Sequence, residues 1–342
     1  MTQMQTLELR IDTEIETKKN KETLTYADIK PRLWTFETDE GKYLLSILPE
    51  EIQIALKKSF LQSGLESDEG QLFLSYLLEN SKITQMVKMD STSSLTFEYL
   101  YLKEPVINEI DKYFPMGGAA KGIFERLQAL KANLPEIIRQ DIKTRKIRRK
   151  YHVLNIGSGP GHDIIETLQQ NPDLAKKVQV TCLDPDGEAL AIGKKKVEEI
   201  GLIDSFTFIQ EELQTVKKLK KADMIMMIGL LCPKPTRVCK KILKNMTVFS
   251  RHNGIIVFST VQNNMIYGDP LTDFIMRADG WSMCYKTDSE PDEIALESGW
   301  DPYFRFFDSY GYNCMTVARI QNNLENWKKR ILFPIYKIYK GR

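Results

Sequence analysis

The chain has 342 residues, 42% of them hydrophobic and 27% charged, with a formal net charge of +2. That length suits one large domain plus a smaller one with an ample core, and a charge so near zero gives no bulk attraction to nucleic acid or anionic lipid. No apolar run approaches the roughly 18 residues of a membrane span, and Met1-Thr2-Gln3-Met4-Gln5 lacks the basic and apolar regions of a secretory leader. The five cysteines (Cys182, Cys232, Cys239, Cys284, Cys314) are scattered, odd in number and free of C-x-x-C spacing. A cytoplasmic protein with reduced thiols, no metal site and no integral membrane association is expected.

From the amino terminus, Leu7, Leu9 and Ile11 alternate, and Leu33-Trp34-Thr35-Phe36 faces Tyr43-Leu44-Leu45 across Asp39-Glu40-Gly41, which predicts a few short strands. Helical spacing follows over about 49–63, 69–80, 105–114 and 119–145. Residues 1–150 therefore read as a mainly helical domain that caps what comes after it. Its end carries Lys143, Arg145, Lys146, Arg148, Arg149 and Lys150, a run that reads as a solvated helix face.

At Val153 to Ile156 a short apolar run breaks into Gly157-Ser158-Gly159-Pro160-Gly161, and His162 and Asp163 open a helix in which Ile164, Ile165 and Leu168 recur until Pro172. This is a strand, a tight turn and a helix. Glycines at alternate positions allow positive φ and let a ligand approach the amides at the helix start. The next apolar run, Val178 to Leu183, ends in Asp184-Pro185-Asp186, with Asp184 lying 23 residues past Gly161. In nucleotide-binding βαβ units a carboxylate about 20 residues onward holds the ribose hydroxyls, a role that Asp184 fits.

Beyond this, a helix over about 186–200 stops at Gly201, and strands follow at Phe206 to Ile209, Met224 to Ile228 and Ile255 to Val261, the last two joined by a helix from about Thr236 to Val248. Near-continuous apolar strands imply burial on both faces, as in a parallel sheet. Tyr303–Phe307 and Tyr312–Ile320 flank Ser309-Tyr310-Gly311 as an antiparallel pair. The expected fold is α/β: a doubly wound, mostly parallel sheet with an antiparallel C-terminal hairpin over 151–320, plus the mainly helical N-terminal domain. A basic, aromatic tail over 321–342 reads as a packed terminal helix.

The glycine spacing separates two cofactor classes. A dinucleotide fingerprint, G-x-G-x-x-G, needs a glycine where this chain has His162. The G-x-G-x-G of Gly157, Gly159 and Gly161 instead resembles motif I of the class I S-adenosylmethionine-dependent methyltransferases, and the element order over roughly 151–320 is similar to that family's. The usual motif begins with an acidic residue where this chain has Asn155, which can hydrogen-bond but supplies no charge. The resemblance implies S-adenosylmethionine as cofactor, held by Asn155, Gly157, Ser158, Gly159, Gly161, Asp163, Asp184 and Pro185, with Gln210 or Glu211 at the adenine. Gly229, at the carboxyl end of the fourth strand, is placed against the methionine moiety.

Methyl transfer from a sulfonium asks mainly for alignment, exclusion of water and, where needed, removal of a proton. His162, beside the cofactor turn, is the candidate base; His152 and His252 flank strands and read as structural. The long segment from Gln262 to Glu290 suits a substrate wall, with Tyr267, Arg277, Trp281 and Tyr285 as lining and Arg277 or Lys286 able to receive a carboxylate. The turn Gly229-Leu230-Leu231-Cys232-Pro233 lacks the Asn-Pro-Pro-Tyr pattern of amino-methylating nucleic-acid enzymes. Together with the Trp281 segment it is also similar to bacterial enzymes that methylate the carboxyl group of hydroxy fatty acids. A small-molecule acceptor bearing a carboxylate or hydroxyl is the expected substrate. Two alternatives stay open: a cofactor-binding but inactive regulatory or scaffold protein, consistent with Asn155, and an RNA methyltransferase. Oligomeric state is not readable.

Overall fold

A computed structural model describes residues 33–89, 96, 98, 108–216, 218–321 and 337–338. Five strands, β1 (Tyr151–Ile156), β2 (Val178–Asp184), β3 (Phe206–Gln210), β4 (Ala222–Met227) and β5 (Ser250–Val261), run parallel. Two more, β6 (Trp300–Phe307) and β7 (Asn313–Ile320), form the expected hairpin, with β7 inserted antiparallel between β5 and β6. A short β8 (Lys337–Ile338) lies parallel to β6, giving the order β3-β2-β1-β4-β5-β7-β6-β8. The expected terminal helix therefore does not include Lys337 and Ile338; the rest of the tail lies outside the described residues, as does the Leu7–Ile11 strand.

Alternation along each strand sends successive side chains to opposite faces. Val153, Met224, Met226, Ile255 and Val257 pack with Ile164, Ile165, Leu190 and Val197 on one face. Leu154, Ile225, Met227, Ile256 and Phe258 pack with Cys239, Leu243, Ile294 and Ala295 on the other. Trp300, fully buried, donates its Nε1 proton to the Leu243 carbonyl at 2.9 Å, pinning the Thr236–Met246 helix to the second face. Among the described residues, no helix is long and apolar enough to cross a membrane.

The Gly118–Thr144 helix, which the sequence grouped with the cap, contributes Ala129, Leu130, Leu134 and Ile138 to the sheet's first core. At its foot, Arg145 and Arg149 reach the buried Asp223 of β4 at 2.9 and 2.6 Å, and Arg145 also bonds Asp141. Burial raises the Asp223 carboxyl, but Arg149, the His152 amide and Arg145 outweigh it and hold it below the usual range. Arg145 and Arg149 thus anchor the run, while Lys143, Lys146, Arg148 and Lys150 are exposed as expected, most of them beyond the end of the helix. The two arginines are engaged because a buried carboxylate without a partner is costly.

The amino-terminal hairpin expected over 33–45 is helical instead. Leu33–Glu37 is a 3₁₀ segment, and Thr38 accepts from the Gly41 amide at 3.0 Å to cap the Asp39–Ile47 helix, whose first turn holds Asp39 and Glu40. These are helix-start residues, and their capping chemistry overrides the apolar alternation. Gly41 serves close packing: a Cβ there would stand 2.1 Å from the Thr35 carbonyl oxygen. Helices follow at Glu50–Lys58, Asp68–Asn80 and Lys82–Met89. Of the helix expected over 105–114, residues 105–107 lie outside the described residues; the described part is helical only from Tyr113, in Tyr113–Met116, because Asn108 turns the chain by accepting from the Asp111 amide at 2.8 Å. Asp111 in turn accepts from Ser81 Oγ, Lys82 N and Ile83 N, capping the neighbouring helix.

The long connection after β5 is not loop but two helices, Asn263–Gly268 and Pro270–Ala278. The second of these supplies Leu271, Phe274 and Ile275 to a separate core with Phe36, Leu44, Phe60, Phe73 and Tyr113. The N-terminal helices therefore dock on an insertion of the sheet domain. At the end of that insertion, Asp279 is 1% exposed with its Oδ1 unpaired, and burial pushes its carboxyl up to about 8. The folded chain holds this proton long after the unfolded chain has released it, so stability falls as pH rises from the ordinary aspartate range toward about 8. Asp279→Asn should remove that slope. Thermal melting at about pH 5 and about pH 8 should show the variant gaining on the parent at the higher pH; parallel curves would contradict the assignment.

Candidate functional site

The carboxyl ends of β1, β2 and β4 meet at the glycine turn. Gly157, Gly159 and Gly161 take φ of 61°, 49° and 77°, the left-handed region open to glycine. The Gly157 and Ser158 amides donate to the Leu183 carbonyl at 2.9 and 3.3 Å, continuing the β1–β2 pairing into the turn. The Gly159 amide donates to Asp184 Oδ2 at 2.7 Å, and the Asp186 amide to Oδ1 at 2.9 Å. Asp184 thus shapes the turn and faces it at once. A carboxylate has about four lone-pair positions, so one bond to each oxygen leaves acceptor capacity for ribose hydroxyls. Burial raises its carboxyl above the usual range, ahead of the lowering by those two amides.

Asn155 and Asp163 lie beneath the turn. Asn155, 1% exposed, donates from Nδ2 to Asp163 Oδ1 at 3.4 Å, while its own Oδ1 is buried without a partner. Burial raises the Asp163 carboxyl, against lowering by the Ile164 amide and by nearby Arg126. An orphaned acceptor beside a carboxylate fits the ammonium of an amino-acid group. Gly229 has φ of 85°, and its amide donates to Ser259 Oγ at 2.8 Å. The open backbone at Gly157 faces Leu230, whose Cδ1 would lie 3.1 Å from an added Cβ. At the end of β3, Gln210 Nε2 donates to the Pro185 carbonyl at 3.3 Å and the Glu211 amide to the Asp184 carbonyl at 3.2 Å.

His162 is held on both ring nitrogens. Nε2 meets the Glu98 carboxylate, and Nδ1 lies 3.0 Å from Lys196 Nζ, which also bonds Glu166 at 2.9 Å. The ring therefore links residue 98, the Gly187–Glu199 helix and its own helix. Of the expected substrate residues, Arg277 and Tyr285 converge on the buried Asp273. Trp281 packs beside the Met265, Ile266 and Met276 cluster, and Tyr267 is 45% exposed. Lys286 donates to the carbonyls of Lys234 and Cys284 at 2.9 and 2.8 Å. These side chains form a braced wall, with their charges directed inward.

Two participants were not foreseen. Arg126, 8% exposed, brings Nη1 and Nη2 within 3.6 Å of where a Gly229 Cβ would stand. Gly193 sits in the middle of the Gly187–Glu199 helix, where a Cβ would meet the Pro160 carbonyl oxygen at 2.2 Å. A glycine inside a helix costs about 1 kcal/mol against alanine, a penalty that signals a packing role. Gly193→Ala should push the glycine turn outward and weaken S-adenosylhomocysteine binding at least about tenfold while raising helix propensity, as calorimetry would measure; unchanged affinity would mean the turn is not held from this side.

A model of the methyltransferase-domain family matches residues 147–299. A search of curated protein sequences finds no match. Among solved structures, a Bordetella parapertussis protein described as a possible exported protein aligns with a TM-score of 0.60 at 14% identity, covering 84% of this chain and 98% of its own. Magnesium protoporphyrin IX methyltransferase from Synechocystis, solved with bound S-adenosylhomocysteine, aligns with a TM-score of 0.50 at 13% identity, covering 70% of this chain and 100% of its own. At these identities the structural likeness speaks for the fold. Residues 147–299 are thus similar to a methyltransferase domain, which supports a methyltransferase with S-adenosylmethionine as its cofactor.

Proposed function

We propose that the enzyme methylates a small-molecule acceptor, with a carboxylate ahead of a hydroxyl. The carrying observation is the glycine turn locked by Asp184 against β2, with buried Asn155 Oδ1 and Asp163 on its inner side. This cradle fits an adenosyl amino acid. S-adenosylmethionine brings an electrophilic methyl group; the protein's share is to bind, orient and keep water away. Asp184 holds the ribose, Gln210 and Glu211 border the adenine, and Gly157 and Gly229 give the amino-acid end backbone access.

A cleft elsewhere in the structure is of a size that supports a small acceptor. This cleft, of about 220 Å³ between the N-terminal helices and the insertion, is lined by Thr38, Glu40, Tyr113, Lys121, Asp269 and Tyr312. Lys121 on the cleft wall pairs with Glu40. His162 is engaged by Glu98 and Lys196, which favours an acceptor that needs no proton removed. A carboxylate is already ionised at neutral pH and meets that condition, whereas an alcohol does not.

Incubating the protein with methyl-labelled S-adenosylmethionine and fractionated cell extract should place label in small molecules, released by mild base if an ester has formed. Label in RNA instead would overturn the acceptor class. Asp184→Ala should weaken S-adenosylhomocysteine binding by about 1 to 3 kcal/mol, the loss typical of removing a charged hydrogen-bonding partner. Unchanged affinity in calorimetry would refute the ribose assignment.

A further inference from the structure

From the cations gathered at the far end of the sheet we infer a second ligand site, a cleft that binds a small anion carrying two or more phosphate groups. The cleft has a volume of about 760 Å³, and Arg145, Lys146, Arg148, Arg149, His252 and Arg319 stand on its wall, with no carboxylate among its described lining residues. The wall comes from the end of the Gly118–Thr144 helix and the residues after it, the start of β5 and the end of β7. These are the amino ends of the parallel strands, so the six residues of β1, about 20 Å, separate the cleft from the glycine turn. A ligand here is therefore neither the cofactor nor the methyl acceptor.

Asp141 and Asp223 lie behind the wall, buried and already shared: Asp141 holds Arg145 and Arg319, while Asp223 holds Arg145 and Arg149, with Arg251 3.9 Å away. Five cations on the wall thus stand over two carboxylates, and three guanidinium groups are fixed before any ligand arrives. Lys146 and Arg148 are exposed, and their side chains make no hydrogen bond or ion pair among the described residues. The negative end of the helix is closed off, because the Asp141, Ile142 and Lys143 carbonyls accept from the amides of Arg145, Ile147 and Lys146 at 3.0, 3.0 and 3.2 Å. Backbone strain marks the same place. Among the described residues, Lys146 and Asn253, with φ of 52° and 57°, are the two that hold left-handed backbone without being glycine, and both line the cleft. Asparagine tolerates that region, whereas lysine carries a strain that glycine would avoid. The position bears a charge despite the strain, a pattern found at ligand sites. Guanidinium forks and ammonium groups match phosphate oxygens, and several of them in one cleft suit a ligand with more than one phosphate. The concave wall does not suit a flat bilayer, and with no aromatic ring in its described lining it offers the bases of single-stranded nucleic acid nothing to stack on.

The test is calorimetry on the full chain at low salt, with inorganic tripolyphosphate as the probe. One equivalent should bind, and orthophosphate should bind at least about tenfold more weakly, having fewer oxygens for the same charge-assisted bonds. A variant carrying Lys146→Gly and Arg148→Gln should lose about tenfold or more in tripolyphosphate affinity, the effect of removing charged hydrogen-bonding partners. It should melt close to the parent, because glycine's relief of the left-handed backbone offsets its looser unfolded chain. A charge-matched control on the Gly187–Glu199 helix, Lys194→Gln with Lys195→Gln, should bind as the parent does. Adenosine triphosphate binding at least as tightly as tripolyphosphate would name a nucleotide as the natural source, and weaker binding an inorganic polyphosphate; either supports the site. No binding to the parent, unchanged affinity in the cleft variant, or equal losses in the control would overturn it. So would a single-stranded RNA oligonucleotide that binds more tightly than tripolyphosphate and is lost in the same variant, since the cleft would then belong to nucleic acid.

Discussion

The site depends on one hydrogen bond, from the Gly159 amide to Asp184 at 2.7 Å. It closes the end of β1 onto the end of β2, fixing a turn whose three glycines would otherwise be free to choose among several backbone states. The carboxylate that makes this bond is 9% exposed and is also the one proposed to hold the ribose. Shaping and binding thus fall to the same group. Gly193 completes the arrangement from behind, because the absence of a side chain lets the helix after β2 approach the Pro160 carbonyl.

Around this bond the sheet is held by polar anchors at its other edge. Asp141 and Asp223, both buried, gather Arg145, Arg149 and Arg319 at the foot of the long helix. Tyr151 joins them through Asp141 at 2.9 Å. The molecule so separates two tasks between the ends of its strands: charge pairs that fasten the helix at one end, and open backbone that admits a ligand at the other. Ligand sites in open α/β sheets lie at the carboxyl ends of the strands, as here.

Much of this was legible in the sequence because periodicity and glycine spacing are local signals. The strands from β1 to β7, the hairpin, the glycine turn and Asp184 follow from apolar runs and their punctuation. The segment around Gly41 misled because alternation over a few residues cannot be told from one face of a short helix, and the Thr38 cap decided it. Arg126 was hidden in a helix that read only as part of the cap, and only the fold carries it to Gly229. Arg277 and Tyr285 were visible as polar residues in a long connection, but their partner, Asp273, lies one helical turn or more away and becomes apparent only when the insertion coils. Chemistry written within a single turn is readable; chemistry assembled from distant elements waits for the three-dimensional arrangement.

The long helix has one further consequence. Gly118 and Gly122 sit so close to Asp269, Tyr312 and Asn313 that an added Cβ would fall within 2.8 to 3.3 Å of them. A rod seated that tightly resists sliding or turning on its axis. The amino-terminal helices meet the insertion through aromatic rings instead, Phe60 and Phe73 against Phe274, contacts that carry no directional bonds. The long helix is therefore fixed to the sheet domain by close packing, and the amino-terminal helices to the insertion by aromatic contacts.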